Sequence, residues 1–333
     1  MNVPNATPAP FPYLRLIRIW NLPTALADVY AGFVLAGAAA AGGSSARLLL
    51  LFGTSAAIYS AGMAWNDILD LKRDRTLHAD RPLPSGAMRK GTAVLLASAL
   101  VALGLLGGSW LGGRAFAVTA VLVVCTFTYN ARLKHKGLIG CLNMGACRFL
   151  NMWLGIAAAG GSIAGLWGYP ATLGLYVAAV TLVSLQEENR ITRGKFIGIA
   201  SLMLVAILPF AVLCAFSGDG EGPSPAALLP LAVMVLWMAA ATVPAVRVLT
   251  GRAIGGLIRT SLTCIILLDA AMLLSAHKTS EGIMCSLLII PSLMLARSVA
   301  RRPAPAQSAA PPAAAPSEQP APAPSSAPPT ASV

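Results

Sequence analysis

Apolar runs long enough to cross a bilayer follow one another along this chain, each closed by a short polar, glycine- or proline-bearing break. A spanning helix takes about 20 mostly apolar residues, and such runs occupy 24–42, 47–66, 91–109, 115–130, 138–159, 171–186, 197–216, 226–246 and 257–276. A shorter tenth run, 283–297, contains Pro291. Backbone groups facing lipid must be satisfied within their own segment, so these runs predict helices. They lack the period-two alternation of a membrane barrel strand. The expected fold class is an all-α, polytopic membrane helical bundle with nine core transmembrane helices and a candidate short tenth.

The flanks read differently. Residues 1–12 form a polar segment, 13–298 the transmembrane domain, and 299–333 a tail of Pro, Ala and Ser. The tail has too few bulky side chains to offset the entropy of folding and is expected to be disordered. No cleavable leader is expected, because the opening residues are polar and Pro-rich and the first apolar run is long enough to span.

Composition supports lipid as a solvent for this chain. Of 333 residues 56% are apolar and 11% charged, and the mean hydropathy is +0.72. One water-soluble core could not enclose that much apolar surface.

Charge then sets an orientation. With the N-terminus in the cytoplasm, 19 of the 24 Lys and Arg residues fall in inward loops and three (Arg47, Arg114, Lys278) in outward ones. This is the positive-inside bias of a multi-pass protein, here of a bacterial inner membrane. The basic residues at 297, 301 and 302 join the inward set only if the tenth run crosses. The formal charge of +12 is thereby assigned to the anionic cytoplasmic leaflet, and no nucleic-acid partner is implied. A channel or secondary transporter would carry broken helices or midplane charges in two matching halves. Only Asp28 and Asp269 fall inside apolar runs as carboxylates. The six cysteines are scattered singly, without ligand or disulfide spacing, and read as small core residues.

Half of the twelve acidic residues (Asp67, Asp70, Asp74, Asp80, Glu187, Glu188) gather at the cytoplasmic mouth of this topology. In "NDILDLKRD", 66–74, a helix would put Asn66, Asp67, Asp70 and Asp74 on one face over two turns. Hard oxygen donors in that array suit Mg²⁺, which takes one or two carboxylates and completes its shell with water and phosphate oxygens. The alternative is a solvated face of i,i+3 and i,i+4 ion pairs, each contributing a few tenths of a kcal/mol. Asp67 follows directly on an apolar run, where an unpartnered carboxylate is costly.

These residues carry a resemblance. "NDILDLKRD" is similar to the first aspartate-rich signature of the UbiA superfamily of intramembrane prenyltransferases, and "DRPLPSG", 80–86, continues it. "YLRLIRIWNLPTALADVYAGFVLAG", 13–37, and "YNARLKHKGLIGCLNMGACRFLNMWLGIA", 129–157, resemble the same family. The resemblance implies an enzyme that binds an isoprenyl diphosphate through Mg²⁺ at the cytoplasmic side of the bundle. The prenyl group would pass to a lipophilic, aromatic or otherwise electron-rich acceptor within the bilayer.

Carried over residue by residue, it gives Asn66, Asp67, Asp70 and Asp74 to the metal, and Arg81 and Lys134 to the diphosphate. Asp67, Asp70, Arg81 and Lys134 form the expected catalytic set. Tyr129 stands one residue farther from Lys134 than the family's frequent Y-x-x-x-K spacing; its other reading is an interfacial aromatic. The family's second aspartate motif is replaced here by "TLVSLQEENRITRGK", 181–195, which contains no aspartate. Glu187 and Glu188 offer oxygens, but adjacent helical residues point about 100° apart. The diphosphate would then draw on Arg190, Arg193 or Lys195. This loop and "GACRFLNMWLG" resemble the divergent EboC-like branch. Arg148, inside an apolar run, is a ligand-binding candidate; the alternative is a structural arginine bonded to helix ends. The runner-up function is a UbiA-fold protein that binds or moves a lipophilic metabolite without prenyl transfer.

Overall fold

The computed structural model describes residues 11–37, 45–187, 191–216 and 222–299. Glu188 and Arg190, and the tail beyond Val299, lie outside them. The described residues are helical and contain no strand. The helices are α1 (Pro12–Leu16), α2 (Leu22–Leu35), α3 (Ser45–Leu69), α4 (Leu71–Leu77), α5 (Lys90–Leu111), α6 (Gly113–Thr128) and α7 (Leu138–Ala158). They continue with α8 (Gly168–Ser184), α9 (Arg193–Phe216), α10 (Leu228–Val248), α11 (Gly251–Ser275), α12 (Thr279–Leu287) and α13 (Ile289–Ser298).

Within the described residues each of the first nine apolar runs maps onto one helix, α2, α3 or α5 to α11, and the tenth is divided between α12 and α13. Among the described residues seven stretches are long and apolar enough to cross alone: Ser45–Leu69, Lys90–Leu111, Gly113–Leu133, Arg193–Phe216, Pro225–Val248, Gly251–Ser275 and Thr279–Ser298. Ile19–Leu35 and Gly168–Ser184 are apolar but shorter. The helix α7 has the length but is interrupted by Asn143, Arg148 and Asn151. The short tenth run, in contrast, is one of the seven. Pro291 stands in the first turn of α13, where its missing N–H costs no helical bond, and Leu288 joins α12 to α13.

The interior is assembled through small residues that let backbones meet. Gly32 of α2 and Gly155 of α7 face each other, and a Cβ built on either would collide with a backbone carbonyl of the other helix, Met152 O or Val29 O. In the same way Gly104 and Gly107 of α5 admit Ile58 and Thr54 of α3. The centre belongs to α11, whose apolar window is 67% buried, against 28% for α9 and α10 at the periphery. Tyr176 of α8 is fully buried and donates to Ser261 O of α11 at 2.9 Å. Outward faces carry exposed Leu95, Trp110, Val124, Leu213 and Leu236, the surface a bundle presents to lipid.

Candidate active site

The acidic motif is built where α3 ends. Asn66 and Asp67 occupy the last turn of α3, Asp70 is the hinge, and Asp74 lies in α4. Helical hydrogen bonds still cross the hinge, Asp70 N to Asn66 O at 3.0 Å and Asp74 N to Asp70 O at 2.9 Å. The expected single helix is therefore two, because Asp70 (φ −83°, ψ 0°) leaves the α-helical region.

Three cations hold the three carboxylates. Arg18 donates to Asn66 Oδ1 at 3.2 Å and Asp67 Oδ1 at 3.1 Å. Arg81 reaches Asp74 Oδ2 at 2.6 Å and Asp67 Oδ1 at 3.5 Å. Lys134 pairs with Asp70 Oδ2. Asn66 Nδ2 donates to Asn130 Oδ1 at 3.0 Å, and Asn130 is itself bonded to Gly62 O and Thr126 O. Asn66, Asp67 and Asp74 are buried, so ionised side chains there need these partners. Burial pulls the Lys134 ammonium below the usual lysine range, and its Asp70 partner opposes that shift.

Lys134 reaches Asp70 by a local device. Residues Tyr129–Leu133 form a π-helical turn, closed by Lys134 N to Tyr129 O at 2.9 Å. Such a turn holds one more residue than an α-helical turn, and it absorbs the extra residue between Tyr129 and Lys134.

Beneath the cluster lies a cavity of about 680 Å³. Its mouth is lined by Arg18, Asp70, Asp74, Arg81 and Lys134, and Glu187 enters from the end of α8. Ile58, Leu122, Val177, Ile258 and Ile265 make its apolar wall. One polar patch interrupts that wall. Arg148 Nη2 donates to Asp28 Oδ1 at 2.8 Å and Thr24 O at 2.9 Å. Asn151 Nδ2 donates to Asp28 Oδ2 and Ala25 O, both at 2.9 Å, and Asn151 Oδ1 accepts from Ser55 Oγ at 2.8 Å.

Of the residues expected from sequence, Asn66, Asp70, Asp74, Arg81, Tyr129, Lys134, Arg148 and Glu187 come together on this cavity. Asp67 stands just behind the lining with 1% exposure. Arg193 lies elsewhere, donating to Arg247 O at 3.1 Å. Sequence reasoning passed over Arg18, which it counted only for orientation, and Asn130, which has no charge to draw notice.

The donor set suits Mg²⁺. Asp67, Asp70 and Asp74 offer carboxylate oxygens and Asn66 an amide oxygen, hard donors of the kind that Mg²⁺ combines with phosphate oxygens. Among the described residues no three His, Cys, Asp or Glu side chains form a ready-made metal cage.

Comparison with known proteins adds to this picture. Digeranylgeranylglyceryl phosphate synthase of Metallosphaera sedula is 30% identical over 144 residues, which is 43% of this chain and 50% of that protein. The protein of the same name from Ignicoccus hospitalis is 37% identical over 128 residues, 38% of this chain and 41% of that one. The chain thus spans about half the length of the curated relatives it matches. A solved structure concerning digeranylgeranylglyceryl phosphate synthase in membranes covers 80% of this chain and 98% of its own, with a TM-score of 0.53 at 18% identity. At that identity the likeness is one of fold. The narrower EboC-like resemblance receives no support from these relatives. The UbiA prenyltransferase family is matched over residues 29–278, the span that holds the acidic motif, the π-turn and most of the cavity lining, and the chain belongs to that family.

Proposed function

We propose that this integral, multi-pass membrane protein is a Mg²⁺-dependent prenyltransferase, moving an isoprenyl group from an isoprenyl diphosphate to a lipophilic acceptor. The observation that carries this reading is the continuity of one cavity from a mouth of oxygen donors and cations into an apolar interior. An isoprenyl diphosphate has that same division. Asn66, Asp70 and Asp74 would hold the metal, with Asp67 fixed behind them between Arg18 and Arg81; the metal when bound neutralises charge growing on the leaving diphosphate. Arg81, Lys134 and Arg18 add fixed positive charge at the same end. The C–O bond to diphosphate breaks with its electron pair leaving on oxygen. The acceptor's nucleophilic atom supplies the pair for the new bond to that carbon and gives up a proton, which departs through the hydrated mouth. Ile58, Leu122 and Val177 keep water from the electrophilic carbon.

The relatives' names specify a glyceryl phosphate product, so a hydroxyl oxygen stands beside an aromatic ring as the acceptor's nucleophile. We read the mouth as lying at the cytoplasmic face of a bacterial inner membrane, with the positive-inside bias as the support for that orientation. A second reading, binding of a lipophilic metabolite without transfer, is favoured by one observation: among the described residues the loop after α8 brings Glu187 and no aspartate to the cavity.

The test is binding and turnover by the purified protein in detergent with labelled geranyl, farnesyl or geranylgeranyl diphosphate. Binding should require Mg²⁺, reverse on chelation and weaken at least about tenfold in Asp70→Ala and Asp74→Ala. Metal-independent binding, or binding unchanged in both variants, would sink the assigned site. Binding without turnover against hydroxylated and aromatic acceptors would favour the second reading.

A further inference from the structure

The polar patch inside the cavity is not needed to hold a diphosphate at the mouth. Arg148 lies about 15 Å along α7 from Leu138 at 1.5 Å rise per residue, well inside the apolar part of the bundle. Both hydrogens on Nη2 are committed, to Asp28 Oδ1 and Thr24 O. The Nε–H is enclosed without a partner. Nη1 makes no hydrogen bond among the described residues, is not enclosed, and belongs to a side chain that lines the cavity. Asp28 has no exposed surface and is fixed from its other oxygen by Asn151. The guanidinium is therefore locked in orientation with one donor nitrogen left for a ligand.

Its charge is already spoken for. Asp28 is ion-paired with Arg148 at 2.8 Å, and Asp269, equally enclosed, sets a second carboxyl group against Asp28. An anion placed at Nη1 would face an arginine whose charge is cancelled, with more carboxyl behind it. A neutral oxygen meets no such opposition and takes the directional bond.

We infer that Arg148 recognises the acceptor, with Nη1 binding a neutral hydroxyl or carbonyl oxygen of a lipophilic molecule while Asp28 and Asn151 position the guanidinium. This rests on the prenyl-transfer reading for the word acceptor, but the binding site itself can be tested without turnover. The probes are a diazirine-bearing tetradecanol and the matching tetradecanoate, photolysed with the full chain in lipid nanodiscs and mapped by peptide.

The alcohol should label α2 and α7 in preference to the carboxylate. Its labelling should fall about tenfold in Arg148→Lys and in the charge-neutral double variant Asp28→Asn/Arg148→Gln, with Mg²⁺-dependent geranylgeranyl diphosphate binding kept within about twofold. Alcohol labelling that persists in both variants, or carboxylate labelling as strong as the alcohol's, overturns the inference. Should the variants fail to fold, the alcohol-over-carboxylate preference of the unaltered protein decides alone. Loss of diphosphate binding in the unaltered protein would remove the transfer reading and leave the Arg148 result standing.

Discussion

Asp67 and Asp70 belong to one motif yet do different work. Asp67 has 1% exposure and lies between Arg18 and Arg81 at 3.1 and 3.5 Å, whereas Asp70 lines the cavity and pairs with Lys134. Removing the carboxylate charge at 67 leaves two guanidinium groups crowded around a neutral amide. Asp67→Asn should therefore lower stability by about 2 kcal/mol, read as an earlier thermal unfolding transition in detergent. Asp70→Asn should leave that transition nearly unmoved and weaken Mg²⁺-dependent diphosphate binding about tenfold. Equal thermal effects from the two would refute the division. The motif itself was legible because carboxylates at helical spacing directly after an apolar run are costly unless a cation meets them. Arg18 was not, since its role depends on a left-handed backbone at φ 49°, which nothing in "RLIRIWN" announces. The Arg148–Asp28 pair stands between these cases. Two charges inside apolar runs must find partners, but which carboxylate Arg148 takes depends on how α2 packs on α7.

At the scale of single elements, helices were readable and their irregularities were not. Apolar runs locate α3, α5, α6 and α9 to α11 because the bilayer requires length and hydropathy together. The hinge at Asp70 and the π-turn stand where Lys134 pairs with Asp70 across the two elements, a tertiary contact that no local composition marks. The π-turn yields a direct prediction. If Tyr129–Leu133 is a one-residue insertion in a continuous helix, deleting Ala131 closes it to an α-helical turn and keeps Tyr129 and Lys134 on their present faces. Asn130, the partner of Asn66, is retained. Diphosphate binding should then stay within about threefold, while inserting an alanine after Ala131 rotates Lys134 by about 100° away from Asp70 and abolishes it. A deletion as damaging as the insertion would show that the turn has a role beyond register. The glycine seam between α2 and α7 is a second exposed point. Gly155→Ala would drive a methyl group into Val29 O, and overpacking of this kind costs about 1–3 kcal/mol. The same displacement moves Thr24 and Asp28 away from Arg148, so thermal stability and alcohol labelling should fall together.

At the scale of the whole molecule, contacts at the two ends of the bundle fix an alternating path. At the mouth end, Asn66 in the last turn of α3 meets Asn130 after α6, Arg193 opening α9 meets Arg247 closing α10, and Ser292 of α13 donates to Trp20 O before α2 at 2.9 Å. At the opposite end, Arg47 opening α3 donates to Leu111 O and Ala158 O, the last residues of α5 and α7, and Ser224 N donates to Ser275 O where α11 closes. The pair α12–α13 therefore starts at the far end and returns to the mouth, and its Thr279–Ser298 stretch is among those apolar enough to cross. With the 19-to-three distribution of basic residues, the orientation we propose has the mouth and both ends of the transmembrane domain on the cytoplasmic side. A reporter joined after residue 302 should read cytoplasmic, and one inserted after Lys278 should read exterior. An exterior signal at 302 would mean that α12–α13 lies along the membrane surface instead of crossing it. The contact between Ser292 and Trp20 could not then persist in the bilayer, and the segment carrying Arg18 would lose the helix that braces it against the acidic motif.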